Sequence, residues 1–351
     1  MPGAPKRGER HRREGGSIVQ QRLRTQRLAG RGFATPADAV RWFGAVQAQD
    51  YAGVLWALGL RTAGATEATV EHALLDRTIV RTWPLRGTLH VVAAEDVRWM
   101  VKGFGAQTIA RSLRRFAQLE LDERVFARCR EVTVKALEGG RQLSRPRLYA
   151  QFERAGIDTG GMRGLHIVWR LAHDGLICFG AREARQQTFV LLGEWVPRAK
   201  MLGRDEALGE LAARYFTSHA PATEQDFRWW SGLPTGDARR AVEIARVDPE
   251  KTRAPAATVP SPHLVLLPAY DEFTVAYLDR SAALDPKDAT KAGNGISPTI
   301  VLDGRIVGTW TRVEKVREVT VVPRLFRKLT TPESDALAAA VARYRAFKRP
   351  A

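Results

Sequence analysis

The chain is poor in the residues and motifs that mark many protein classes. Its 351 residues include two cysteines, Cys129 and Cys178, far apart and outside any CxxC pattern. That argues against a disulfide framework and against a cysteine-based zinc site. The seven histidines are scattered, so no metal site is expected. No apolar run reaches the length of a membrane-spanning helix. The opening MPGAPKRGERHRREGG has no apolar stretch behind its charges and does not read as a signal peptide. A cytoplasmic protein that does not engage membranes is the expectation. GxxxxGKS, a GxGxxG after a strand, HExxH and GxSxG are also missing. Phosphate-cradling, dinucleotide, zinc-peptidase and serine-hydrolase readings therefore lose their sequence support, and no cofactor is expected.

Acidic residues are in short supply too. Asp plus Glu number 38 against 55 Lys plus Arg, a net charge of +17. Such a surplus attracts polyanions, and nucleic acid is the commonest polyanion in cytoplasm. The bias toward Ala, Arg and Gly exchanges Lys for Arg without creating net charge, so the surplus keeps its meaning. Hydrophobic content of 44% and charged content of 26% are ordinary for a globular protein, and the length favours two or three domains.

The elements are helical first, with strands concentrated late. Residues 1–16 read as a disordered basic tail. A helix from Ser17, its cap, to Leu28 stops at Gly30. TPADAVRWFGAV is a second helix, with Thr35 as cap, Pro36 in the first turn and Val40, Phe43 and Val46 on one face. VLWALGLRTAG and TEATVEHALLD are short helices, and TIVRTWPLRGTLHVVAAED is a hairpin turning near Pro84–Gly87. Helices followed by a hairpin are the plan of a winged helix-turn-helix. The plan recurs in 121–200. There Ser144 caps a helix, RGLHIVWRLAHDG takes the recognition-helix place with Arg163, His166 and Arg170, and LICFGAREARQQTFVLLG is a hairpin with a basic tip. Residues 201–250 form a third helical set, with a Thr223/Asp226 capping box. Residues 251–351 are β-rich and end in a helix capped at Thr331. The first module spans 17–120.

Three features carry candidate chemistry. In VQAQD, Gln47 and Gln49 lie at or just beyond a helix end. If the segment is extended, both amides point to one side and could hold a water molecule or a sugar–phosphate edge. They could equally cap the helix or bond backbone. Arg61, Arg81 and Arg86 gather near the first wing, where they serve phosphate contact or a solvated turn around a core Trp83. His90 alternates with apolar residues on a strand, in a structural or DNA-facing role. In LPAYDEFTVAYLDRS, Asp271 and Glu272 could be an acid/base pair, or part of a hairpin with a local Asp–Arg bridge.

VQAQD after an amphipathic helix, RTWPLRGTLHVVAAED, LLPAYDEFTVAYLDRS and PTIVLDGRIVGTW together resemble the winged-helix DNA glycosylases of the AlkZ and YcaQ superfamily. The resemblance covers nearly the whole chain after the tail. The catalytic motif is Gln–apolar–Gln in the AlkZ branch and Gln–apolar–Asp in the YcaQ branch, so Gln47–Ala48–Gln49 is similar to the AlkZ branch. The resemblance implies a mainly helical α+β protein of tandem winged-helix domains, C-shaped around duplex DNA, with a β-rich C-terminal segment. It implies a monofunctional glycosylase that removes alkylated purines, chiefly N7-alkylguanine, including bulky or crosslinked adducts, in general repair or resistance to a self-made genotoxin. Gln47 and Gln49 would be catalytic, with Asp50 placed to lend negative charge. Arg61, Arg81, Arg86, His90, Arg163, Arg170, Arg182 and Arg185 are the expected DNA contacts. No dimerisation helix stands out, so a nucleoid-associated monomer is expected. The rivals are a non-catalytic winged-helix regulator and an unrelated hydrolase built on Asp271 and Glu272.

Overall fold

The computed structural model describes residues 18–252, 258–293, 296–315 and 318–349; Ser17 and the basic tail, with the cap and disorder expected there, lie outside the described residues. The fold is α+β, in two compact units: Met1–Glu71 with Leu208–Ala351, and His72–Ala207.

The first unit begins with α1 (18–25) and α2 (Pro36–Phe43). Thr35 accepts the Asp38 N–H and Pro36 occupies the first turn, as the sequence indicates. Val40 and Phe43 are buried. The helix stops sooner than its apolar pattern suggests, because Gly44 takes φ 79° and donates its N–H to Val40 O. The chain then runs extended as β1 (Ala45–Gln47) before α3 (Tyr51–Arg61). Every residue of α3 from Gly53 to Arg61 is buried, as in a helix surrounded by its own unit. α4 (Glu67–Leu75) leads into the second unit.

The second unit opens with the expected hairpin, β2 (Ile79–Leu85) and β3 (Thr88–Ala93). Leu85 pairs with Thr88, leaving Arg86 and Gly87 as a two-residue turn with φ 54° and 73°. Two successive positive φ values make a type I′ turn, whose twist matches that of the strands. Then come α5 (Val97–Gln118), α6 (Glu123–Leu137), β4 (Leu143–Ser144), α7 (Arg145–Arg154), α8 (Arg163–His173), β5 (Ile177–Phe179), β6 (Thr188–Leu191) and α9 (Leu192–Trp195). Strands lie in the order β4–β6–β5. Ser144 sits at the N-cap of α7 but makes no side-chain cap bond. The second hairpin is joined by residues 180–187, a wide loop.

α8 packs an apolar face into the core of this unit. Ile167, Val168 and Leu171 pack with Trp83, Phe116, Phe126 and Phe152, so α8 is a core helix of this unit. His173 at its end is buried against Trp169, with ring centroids 3.8 Å apart, and its Nδ1 bonds Trp169 O at 2.8 Å. Burial pushes its pKa down from 6.5 to about 4. The unfolded chain binds this proton near pH 6.5 and the folded chain only near 4. Stability from a neutral His173 is therefore complete above pH 6.5 and is lost as the pH falls toward 4, by about 3 kcal/mol. His173→Phe should flatten that loss. Urea unfolding of both proteins at pH 7 and pH 4.5 checks it, and equal pH slopes would count against it.

The chain returns to the first unit in α10 (Arg204–His219), followed by α11 (Glu224–Ser231) and α12 (Thr235–Ala245). The Thr223/Asp226 capping box of α11 is present. β7 (Leu264–Leu267) leads to the helical turn α13 (Glu272–Val275), then β8 (Thr299–Leu302), β9 (Arg305–Lys315), β10 (Glu318–Leu325) and α14 (Thr331–Phe347). The sheet is antiparallel in the order β10–β9–β8–β7. Pro323 lies on β10, an edge strand, where a missing N–H is tolerated. α14 is capped one residue earlier than expected: Thr330 is the N-cap, and Glu333 completes its capping box. Tyr344 and Phe347 of α14 pack on Trp56 of α3, each with ring centroids 5.0 Å apart. The indoles of Trp56 and Trp310 donate to Leu266 O and Leu267 O of β7. These contacts fix α3, and with it the segment leading into α3, against the sheet.

Candidate active site

Gln47 ends β1, and burial alternates from there. Val46 and Ala48 are buried, Gln47 is half-buried and Gln49 is exposed. Period-two alternation is the signature of an extended segment, in which side chains two apart share one side, and Val46 and Ala48 are the buried members here. Asp50 follows at the N-cap position of α3, half-buried, with no side-chain cap bond. A Cβ on Gly53 would stand 2.8 Å from Asp50 Oδ2, so glycine there leaves room for the carboxylate over the first helical turn. Asp50 also acts on Arg312. Burial opposes that guanidinium's charge, yet Tyr344, Glu314 and Asp50 together raise its pKa.

Behind β1 lies a buried polar network that connects distant stretches of the chain. The backbone N–H of Gln47 donates to Glu272 Oε1 at 2.7 Å. Glu272 Oε2 accepts from Trp230 Nε1 at 2.9 Å, and His219 Nε2 stands 3.5 Å away, at the outer limit of a hydrogen bond. His219 stacks on Tyr215, with centroids 4.5 Å apart, and its carbonyl accepts the Tyr277 hydroxyl. Tyr277 accepts from Gln26 Nε2, and the Gln26 amide oxygen accepts from Arg61. Arg61 closes the network with a bidentate pair to Asp271, both bonds 2.8 Å. Burial pushes the Tyr277 hydroxyl up to about 12, so it remains a neutral donor.

Asp271 and Glu272 owe their inward aim to the corner after β7. Tyr270 turns the chain with φ 61°, and Asp271 caps α13 by accepting the Phe273 N–H. Both acids are 1% exposed, and neither belongs to a hairpin. The Asp–Arg bridge is real but long-range, joining Asp271 to Arg61. Both acids are spoken for within the fold, Asp271 by Arg61 and Glu272 by the Gln47 N–H and the Trp230 indole.

Several expected DNA contacts are structural. Arg61 is 1% exposed and engaged by Asp271 and Gln26. His90 is 0% exposed on β3, with Nδ1 3.0 Å from Thr88 O. Arg81 is buried with its guanidinium 4.7 Å from the Phe179 ring. Arg170 is buried over Phe126, paired with Glu123 and Asp174. Arg163 bonds Asp158 O and the carbonyls that end α5. Arg61, Arg81 and Arg170 are thus held by acidic or aromatic partners within their own units, His90 is sealed in the core, and Arg163 stays half-buried against backbone carbonyls and Asp158. Arg86 at the type I′ turn, and Arg182 and Arg185 in the 180–187 loop, stay half-buried or exposed. Sequence reasoning passed over Lys102, Arg111, Arg114 and Arg115 on α5, and Arg145, Arg147 and Arg154 on α7, all exposed. Their clustering on polar helix faces was the available signal. Among the described residues no His, Cys, Asp and Glu group could hold a metal ion, and no helix is long and apolar enough to cross a membrane.

Three comparisons bear on this geometry. The chain matches the DNA glycosylase AlkZ-like family over residues 40–347, a span that includes the glutamine pair, the acid-bearing corner and the last helix. It is 26% identical over 343 residues to an interstrand DNA cross-link repair glycosylase of Streptomyces sahachiroi, covering 87% of this chain and 90% of that protein. Its fold is similar to the solved structure of the Streptomyces sahachiroi DNA glycosylase AlkZ, with a TM-score of 0.73, 23% identity and coverage of 95% and 97% of the two chains. With the family match running through nearly all of the described fold, the chain belongs to the AlkZ-like DNA glycosylases.

Proposed function

We propose that this protein hydrolyses the N-glycosidic bond of cationic N7-alkylated purines in duplex DNA and leaves an abasic site. The observation that carries the reading is that Gln47 is half-buried and Gln49 exposed with Ala48 buried between them, an alternation that in extended chain puts both amides on one side. An N7-alkylguanine already bears positive charge, so it departs without a proton from an acid. Cleavage leaves an oxocarbenium-like sugar that must be met by water. Neutral amides suffice to aim that water: Gln49 holds it and Gln47 orients it, each with two donors and one acceptor. Asp50 adds negative potential at the same end of the strand, shared with Arg312. A normal purine lacks the charge and should stay in place. The cross-link repair named for the relative extends the proposed substrates to bulky or crosslinked adducts.

The succession helix, short strand, two helices, hairpin occurs twice, over 36–93 and 123–191. That repeat supports tandem winged-helix modules, with Arg86, Arg182, Arg185 and the α5 and α7 cations as phosphate contacts. The test is a duplex carrying one N7-methylguanine, incubated with excess protein. Free N7-methylguanine and a heat-labile abasic site are expected, with no release from undamaged duplex. Tight binding without base release would instead make this a DNA-binding regulator.

A further inference from the structure

We propose that Glu272 is a positioning residue for the glutamine pair: its buried carboxylate holds the backbone of Gln47 and thereby sets where the two amides point. This rests on the reading of Gln47 and Gln49 as the water-aiming groups. The geometry is specific. Oε1 lies 2.7 Å from the Gln47 backbone nitrogen, and Oε2 lies 2.9 Å from Trp230 Nε1. Both partners are donors, and a carboxylate can accept from both at once, whereas a primary amide presents one acceptor and turns an NH₂ toward the other donor. A glutamic acid is thus what these two contacts require. The carboxylate is in turn held on several sides. Glu272 is the first residue of α13, its neighbour Asp271 is clamped by Arg61, and the indole of Trp230 is fully buried beside it.

The hydrogen bond falls at the end of β1, where regular strand gives way to Ala48 and then a bend at Gln49 and Asp50. With the Gln47 backbone pinned from behind, the extended alternation carries on through Ala48 to Gln49, which then emerges on the same side as Gln47. With the pin lost, the segment gains freedom to rotate, and a misplacement of about 1 Å in such a group lowers a rate on the order of a hundredfold. Glu272 is itself 1% exposed, with one oxygen on the Gln47 N–H and the other on the Trp230 indole, so its link to the glutamine pair runs through the Gln47 backbone.

Two measurements on the full-length protein test the proposal. The first is amide hydrogen exchange of the peptide covering residues 45–50 in the free protein. Glu272→Gln should speed exchange there tenfold or more, without a matching change in α10. The second is single-turnover release of N7-methylguanine from a duplex. Glu272→Gln should lower the rate constant about thirtyfold with the duplex Kd unchanged. Trp230→Phe removes the competing donor, so the double variant Glu272→Gln/Trp230→Phe lets the amide carbonyl accept the Gln47 N–H, and it should regain most of the rate held by Trp230→Phe alone. Unchanged exchange and rate in a folded Glu272→Gln protein, or a double variant as slow as Glu272→Gln, would overturn the proposal. If the wild-type protein releases no base at all, the glycosylase reading fails, while the exchange measurement still decides whether Glu272 pins the strand.

Discussion

Gln49→Ala should slow release of N7-methylguanine at least a hundredfold while the affinity for duplex DNA stays within a factor of two. Gln47→Ala should follow with a loss of similar order. The size follows from what remains when the amide goes. The charged base still departs at its intrinsic rate, but the sugar cation forms without an aimed water beside it. Orientation of one reactant accounts for roughly a hundredfold to ten-thousandfold in comparable steps. Affinity should hold, because most binding energy in such complexes comes from phosphate contacts made by cations elsewhere on the surface. Gln49→Glu separates aiming from charge. A carboxylate at this exposed site can still accept from water and adds negative potential near the sugar, so it should retain more activity than alanine. Quenched single-turnover assays against active protein concentration give the rates, and filter binding gives the affinity. Rates within threefold of wild type for both alanine variants would end the water-aiming account.

How much of this could be read from the chain alone depended on the range of the interactions involved. Caps and turns are local, and their residues announce them. Thr35 and Pro36 start α2, Thr223 and Asp226 box α11, and Arg86–Gly87 turns a hairpin. The slip from Thr331 to Thr330 at α14 is the one-residue uncertainty of two adjacent threonines before a proline. The glutamine pair was legible as a motif, but where the preceding helix stops was not, since that is decided by the turn at Gly44. Charge was the misleading signal. A surplus of arginine says that some of it meets a polyanion, but it does not say which. Arg61 finds its acid 210 residues away, Arg81 lies over Phe179, and Arg170 gathers Glu123 and Asp174. No local pattern separates such residues from phosphate ligands. Glu272 stood out as a candidate acid, but its contact with Gln47 was hidden for the same reason. Its partner Gln47 is 225 residues distant, and an acid followed by apolar residues reads as readily as a strand end or a helix start. The return of the chain to its first unit at Leu208 likewise has no composition boundary to mark it.

Arg61→Ala should be among the most destabilising substitutions in the first unit. The side chain is 1% exposed and makes five hydrogen bonds: two to Asp271, two to the backbone and side-chain oxygens of Gln26, and one to Ala57 O. Removing it leaves the Asp271 carboxylate, also 1% exposed, as an unpaired buried charge, which costs about 3–5 kcal/mol. For a unit of this size that corresponds to a fall in Tm on the order of 10 °C. Arg61→Lys should recover little, because an ammonium cannot match the two parallel bonds to the carboxylate and the contacts to Gln26 together. Arg61→Met/Asp271→Leu, which removes both charges and keeps apolar volume, should lie far closer to wild type than Arg61→Ala, since the attraction of a buried pair largely offsets its own desolvation. Asp271 also caps α13, so the double variant keeps a residual deficit from the lost bond to Phe273 N–H, typically about 1 kcal/mol. Thermal unfolding followed by circular dichroism distinguishes these outcomes. An Arg61→Ala protein melting within 2–3 °C of wild type, well inside the shift expected from roughly 3 kcal/mol, would mean that water or a rearranged Gln26 compensates the acid, and that the network behind the glutamine strand is looser than its distances indicate.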